Sequence, residues 1–367
     1  MCIALISTAH PEYPLIIINN RDEFLRRPTA PLSYWPDPNS FILGGRDLAR
    51  KTQGTWMGLT KTGKIAVLTN YREKQSDAAQ GQQSRGAITN SWLARLETPG
   101  KPSRAQTTEY VAEMVASPTA RNVGGFSLVC GYVGEPLAIV SNRSSKMDQV
   151  EWIAGADDDK SNSGLGTGKT VGLSNTVFDD RSWPKILDGE RMVELEIGEH
   201  AKRGESEEEL IQRLLRVLDT NSLPQLGDDA TAEDYLPYFR QSIFIPLIGT
   251  REEKGPESEP AAASEIPAPE TKQSKCVEEH IQAQQNGQMN GATESIKKNN
   301  ESGHDTLDQS YLHGPYGTQK QTVLLVAKDG RVRYFERTLY DGEAKPVPAG
   351  QGDRSIELQV ARWTTRT

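Results

Sequence analysis

Cys2 follows the initiating Met1 directly and precedes the apolar run Ile3-Ala4-Leu5-Ile6. Initiator Met is usually trimmed before a small residue, and trimming here would leave an α-amine and a thiol on one residue. The amine titrates near about pH 8 and the thiol near about 8.5. Such an amine can act as base for its own nucleophile, the arrangement used by hydrolases whose first residue attacks the substrate. A second apolar run, Leu15-Ile16-Ile17-Ile18, leads into Asn19-Asn20-Arg21-Asp22-Glu23. That places a guanidinium and two carboxylates at its end. Asn70 and Arg72 close a third run and Asn175 a fourth. A thiolate attacking an amide needs donors for the developing oxyanion, often an Asn amide with a backbone N–H. Asn70 and Asn175 are candidates for that role, and Arg21 and Asp22 for holding amine and thiol in register. The bland alternative is a small buried hydrophobe at Cys2, turn-capping asparagines, and an Arg21 paired with Asp22 or Glu23.

The elements that must position these residues are short strands. Cys2–Ser7, Leu15–Asn19, Phe41–Gly44, Thr55–Leu59 and Ile65–Asn70 are apolar runs separated by turn residues, and Gly58–Val67 reads as a hairpin. Such close spacing favours antiparallel pairing, because a parallel crossover takes a dozen or more residues. Cys2–Ser7 and Leu15–Asn19 then form a hairpin that brings Cys2 beside Asn20, Arg21 and Asp22. Helical spacing marks Ala87–Leu96 and Thr107–Ala116. Further strands are expected at Phe126–Gly131, Leu137–Ser141, Val150–Ile153 and Thr170–Ser174, and helices at Ser182–Ile197 and Ser206–Leu218. Ser242–Leu247, Thr322–Ala327 and Arg331–Arg337 complete the expected strands. Alternation along Thr55–Leu59 puts Trp56 and Gly58 on one face, with Trp56 packed between sheet and helix.

The 367 residues carry a net charge of -8 and are 35% hydrophobic, enough for one large core. The acidic balance argues against nucleic acid as a partner. Three Cys without CxxC spacing and five scattered His give no metal or cofactor signature. No run approaches the roughly 20 apolar residues of a membrane span, and the start lacks the basic, apolar pattern of a secretory signal. The cytosol is the expected location. Residues 251–310 differ from the rest: they hold no aromatic residue, 12 acidic and 6 basic ones. They are expected to be a disordered acidic insertion within one domain made of residues 1–250 and 311–367. Gly164–Thr170 looks like a phosphate loop, but Ser163 stands where the motif needs Gly and an apolar run follows it instead of a helix.

Asn20-Arg21-Asp22-Glu23 is the motif that gives the NRDE, or transport and Golgi organization protein 2, family its name. The Met1-Cys2 start, Gly44-Gly45-Arg46-Asp47, Gly54–Gly58, Asn70-Tyr71-Arg72, Ser84-Arg85-Gly86, Gly172–Asn175, Trp183-Pro184-Lys185, Ser242–Ile245 and Tyr316-Gly317-Thr318 also resemble that family, in order along the chain. The resemblance implies an α+β fold, a four-layer αββα sandwich like that of N-terminal-nucleophile hydrolases. It further implies roles in Golgi organisation, protein secretion and organelle homeostasis, with Golgi or mitochondrial association. Gln319 stands where relatives usually carry Arg. Two function classes remain open. In one, the protein binds a small ligand (lipid or haem) or a secretory-pathway protein, with Asn20, Glu23 and Arg72 as ligand contacts. In the other, it is an amidohydrolase using Cys2, Arg21, Asp22, Asn70 and Asn175. No His or second basic group lies near Cys2 in sequence to support the latter.

Overall fold

β1 (Ile3–Ser7) and β2 (Leu15–Phe24) each open with a continuous apolar run, Ile3 to Ile6 and Leu15 to Ile18, because both of their faces are buried there. Ala4, Ile6, Leu15 and Ile17 enter one core layer, while Ile3, Leu5, Ile16 and Ile18 enter another. The computed structural model describes residues 2–71, 84–117, 120, 123–142, 144–153, 168–178, 180–227, 229–249 and 308–361.

Among the described residues, thirteen strands make two antiparallel sheets. The remaining strands are β3 (Thr29–Tyr34), β4 (Ile42–Asp47), β5 (Met57–Thr60), β6 (Lys64–Asn70), β7 (Phe126–Tyr132), β8 (Leu137–Ser141), β9 (Glu151–Ile153), β10 (Thr170–Leu173), β11 (Tyr316–Val326), β12 (Arg331–Thr338) and β13 (Asp353–Gln359). One sheet runs β10-β1-β2-β11-β12-β13, and the other runs β3 to β9 as a meander. Trp56, Met57, Val67 and Val129 of the second sheet meet Ile6, Ile17, Leu324 and Tyr334 of the first in the central layer.

Helices close both outer faces. α1 (Gly86–Leu93) and α2 (Ser103–Ala116) place Trp92, Leu93, Val111 and Val115 on Ala66, Phe126 and Leu128. α3 (Pro184–Arg203) and α4 (Glu207–Leu218) place Val193, Ile197, Leu210 and Leu214 on Ile3, Leu5, Ile18 and Val323. The result is the expected four-layer αββα sandwich. α4 starts in a capping box: Ser206 Oγ accepts from the Glu209 N–H, and the Glu209 carboxylate accepts from the Ser206 N–H. α3 opens with Pro184 and ends at Gly204, whose φ of 61° only Gly adopts freely.

Four expectations need correction. Ser242–Leu247 is not a strand. Pro246 removes a donor, and the Ile245 N–H is taken by the Thr318 side chain, so only an Ile248–Tyr316 bridge forms. β3 and β13 were not anticipated. Pro31 interrupts β3, which has a register shift between Ala30 and Ser33, while β13 is largely exposed and polar. Strand geometry begins at Met57, so alternation does not reach back to Trp56. Trp56 therefore lies between the sheets, while Gly58 faces Leu93 beneath α1. β2 and β11 are also longer than the apolar runs, because paired polar residues continue both strands. The insertion at 251–310 lies outside the described residues except at its end, where Asp308 caps a 3-10 turn over Gln309–Leu312. A short helix, α5 (Ala232–Tyr235), completes the elements used below.

Candidate active site

The antiparallel register decides what stands beside Cys2. Ile3 pairs with Asn20 across β1 and β2, so Cys2 comes opposite Arg21. Ala4 pairs with Leu173 across β1 and β10, so the same register carried on brings Asn175 opposite Cys2. Side bonds fix the arrangement. Ser174 Oγ donates to the Cys2 carbonyl at 2.7 Å, and the Cys2 thiol donates to the Asp22 carbonyl at 3.8 Å. Asn175 Nδ2 donates to the Asn70 carbonyl at 2.6 Å, joining the two sheets at this end. Cys2, Arg21, Asp22, Asn70 and Asn175 are thus brought together from β1, β2, β6 and the end of β10.

Cys2 is 9% exposed. Burial pushes its thiol up, as does the Asp22 charge, while Arg21 pulls it down. Asp22 Oδ1 accepts from Thr318 Oγ1 at 2.7 Å, and Thr318 in turn accepts from the Ile245 N–H at 2.9 Å. The Asn175 Oδ1 atom is buried with no hydrogen-bond partner among the described residues. A buried polar atom of that kind is costly and is a place where a ligand donor would be welcome.

The rest of the sequence motif is largely structural. Arg21 donates to Gln319 Oε1 and, at 2.9 Å, to Asp47 Oδ2 on the opposite sheet, and its guanidinium lies 4.8 Å from the Trp56 ring. Arg27 reaches the same Asp47 oxygen at 2.6 Å. Burial alone would raise Asp47, but Arg21 and Arg27 outweigh it and hold the carboxyl below its ordinary value. Gln319 sits where the β2–β11 register shifts and donates to the Leu25 and Arg27 carbonyls at 3.1 Å. A neutral acceptor there suits Arg21, whereas a second guanidinium would repel it. Asn20 Nδ2 donates to the Leu218 and Ile243 carbonyls at 2.8 and 2.9 Å, tying β2 to the helical layer. Glu23 accepts from the Phe24 N–H and pairs with Arg27 at 3.8 Å. Arg72 lies outside the described residues.

Sequence reasoning named Lys185 and Arg85 within family-like segments but gave neither a role beside Cys2. Lys185, in the first turn of α3, is fully buried, with Nζ 5.7 Å from the Trp183 ring. Burial pushes its amine down to about 8, against the opposing pull of Asp22 and Cys2. Arg85, just before α1, is half-buried and lies within electrostatic reach of Glu23 and Cys2. A lysine between Pro184 and Ile186 at a helix start was the available signal for Lys185. The described residues contain no group of His, Cys, Asp or Glu able to hold a metal ion, and no helix long and apolar enough to cross a membrane.

The family model described as Transport and Golgi organisation 2 matches residues 1–341. The human Transport and Golgi organization protein 2 homolog is 30% identical over 253 residues, 65% of this chain and 80% of that protein. The Bos taurus homolog is 28% identical over 251 residues, with the same coverage. A Saccharomyces cerevisiae protein, YGR127W, is 39% identical over 99 residues, and the match spans 31% of its length. Among solved structures, a Caenorhabditis elegans N-acylethanolamine-hydrolyzing acid amidase ortholog superposes at a TM-score of 0.38 with 12% identity, over 66% of this chain and 98% of that one.

Proposed function

The chain belongs to the Transport and Golgi organisation 2 family, and on that premise we propose that its Cys2 end acts on a small acyl amide with Cys2 as the nucleophile. The observation that carries this reading is the register, which sets Arg21 and Asn175 on either side of Cys2. In a chain freed of Met1, the α-amine takes the thiol proton and the thiolate attacks the carbonyl carbon. Donors at this end, with Asn175 and Asn70 as the candidate amides, would hold the oxyanion. The C–N bond then breaks, the ammonium returns its proton to the leaving amine, and water hydrolyses the thioester to release the acid and regenerate the thiol. In the cell this chemistry would serve Golgi organisation and secretion by processing a lipid-like ligand.

A second reading rests on the thiol itself. Burial and the Asp22 charge favour a neutral Cys2, which suits a site that binds a lipid, haem or partner segment without turning it over. Turnover of a medium-chain acyl p-nitroanilide by wild-type and Cys2→Ala protein separates the two. Hydrolysis lost in the variant supports the enzyme. Binding of the amide with no hydrolysis by either protein supports the second reading.

A further inference from the structure

Lys185, in the first turn of α3, is a fully buried cation. Its neighbours Trp183 and Ile186 pack with Phe239, Ile245 and Ile248, with Tyr316 against them. The Ile245 N–H donates to Thr318 Oγ1, and the Thr318 hydroxyl donates to the Asp22 carboxylate. The start of α3 is therefore built onto the same polar cluster that carries Asp22. Ile186 also packs against Gly172 of β10, next to β1, where a Cβ would come within 2.9 Å of its side chain. Asp22 is the link to the thiol, because its own carbonyl accepts from Cys2 Sγ. A carboxylate in that position opposes thiolate formation unless a cation offsets it.

We propose that Lys185 is a positioning residue for Cys2: its buried ammonium balances the Asp22 carboxylate beside the thiol, so that a thiolate can form at the start of β1. The charged and titratable groups around the thiol are the amino terminus, Arg21 and Asp22 on β2, Arg85 before α1, Lys185 on α3 and Tyr316 on β11. Arg21 is paired with Asp47, which it shares with Arg27, and burial pushes Tyr316 up, which keeps it neutral. Lys185 is a further buried cation within electrostatic reach of Asp22 and Cys2. The inference rests on Cys2 being the reacting group, but it concerns thiol ionisation and not turnover.

The test is the pH dependence of Cys2 alkylation by iodoacetamide in the full chain, followed by mass spectrometry of the Cys2 peptide. Lys185→Met should move the alkylation midpoint up by about one pH unit, a tenfold loss of thiolate at a given pH below it. Lys185→Arg, which keeps the charge, should stay close to wild type. Asp22→Asn should move the midpoint down, because it removes the opposing carboxylate and leaves the cation. Mere loosening of the fold would expose the thiol and speed alkylation in the Lys185→Met and Asp22→Asn proteins alike. That outcome, or superimposable profiles for wild type and Lys185→Met, overturns the proposal. If Lys185→Met does not fold, the Asp22→Asn shift decides: a midpoint unchanged or raised there also overturns it. Midpoints that move as expected while no amide is hydrolysed would leave this inference standing and remove only the enzyme reading.

Discussion

Replacing Arg21 by Met removes the cation that joins the two sheets behind Cys2. The side chain is 5% exposed, donates to Asp47 and Gln319, and covers the Trp56 ring. Removing one member of a buried charge pair typically costs about 3–5 kcal/mol, because the other charge stays buried. Here Arg27 still reaches Asp47, so the lower end, about 3 kcal/mol, is expected near neutral pH. The loss should also depend on pH. Arg21 and Arg27 hold the Asp47 carboxyl below its ordinary value, so its stabilisation is present above the unfolded carboxyl range and disappears as pH falls through the folded value. Once Asp47 is protonated, Arg21 has no carboxylate to neutralise there, and the difference between wild type and variant should narrow. Urea denaturation at pH 7 and at stepped pH values down to about 3 would measure both effects. A variant within about 1 kcal/mol of wild type at pH 7, or a deficit that grows in acid, would refute the clamp.

Trp56→Ala should cost about 3–5 kcal/mol, read as a drop in the urea midpoint, because its ring fills the layer between the sheets against Gly45; near-normal stability would contradict that packing. His10 Nδ1 accepts from the Glu12 and Tyr13 N–H groups, its Nε2 pairs with His200 Nδ1 at 2.9 Å, and His200 Nε2 faces the Ser206 carbonyl. Burial first, then His200, pushes His10 down to about 4, so its contribution is complete above about pH 6.5 and lost as pH falls toward 4, by up to about 3 kcal/mol. His10→Gln should flatten the stability–pH slope between pH 6.5 and 4; an unchanged slope would contradict the neutral pair. Replacing residues 253–307 with a short Gly/Ser linker should leave the melting temperature within a few degrees, because that stretch lacks aromatics and carries excess acid; a large drop would show that it contributes to the core.

The hairpin that sets Cys2 beside Arg21 was legible in the sequence because two apolar runs joined by a short turn leave few alternatives. The approach of Asn175 was not, since the pairing of β10 with β1 spans most of the N-terminal half of the chain and leaves no local pattern. β3 and β13 were hidden for a related reason. A half-exposed edge strand has little apolar periodicity, and Pro31 in β3 signals against a strand. Ser242–Leu247 misled in the opposite direction, because an apolar run packed on α3 and β11 has the same composition as a strand. The motif of Asn20, Arg21, Asp22 and Glu23 stood out as chemistry, yet Asn20 and Arg21 spend their hydrogen bonds holding layers together. The burial of Lys185 was not legible, because a single lysine at a helix start usually reaches solvent.

The most direct test of the central claim is to trap the acyl group on Cys2. Protein whose intact mass shows Met1 removed would be mixed with a medium-chain acyl p-nitroanilide, quenched in acid within a turnover, and digested for mass spectrometry. A thioester on the Cys2 peptide, formed at the rate of p-nitroaniline release and absent from Cys2→Ala, is the predicted result. Release of p-nitroaniline by the Cys2→Ala protein, or an acyl group found on another residue, would contradict Cys2 as the nucleophile.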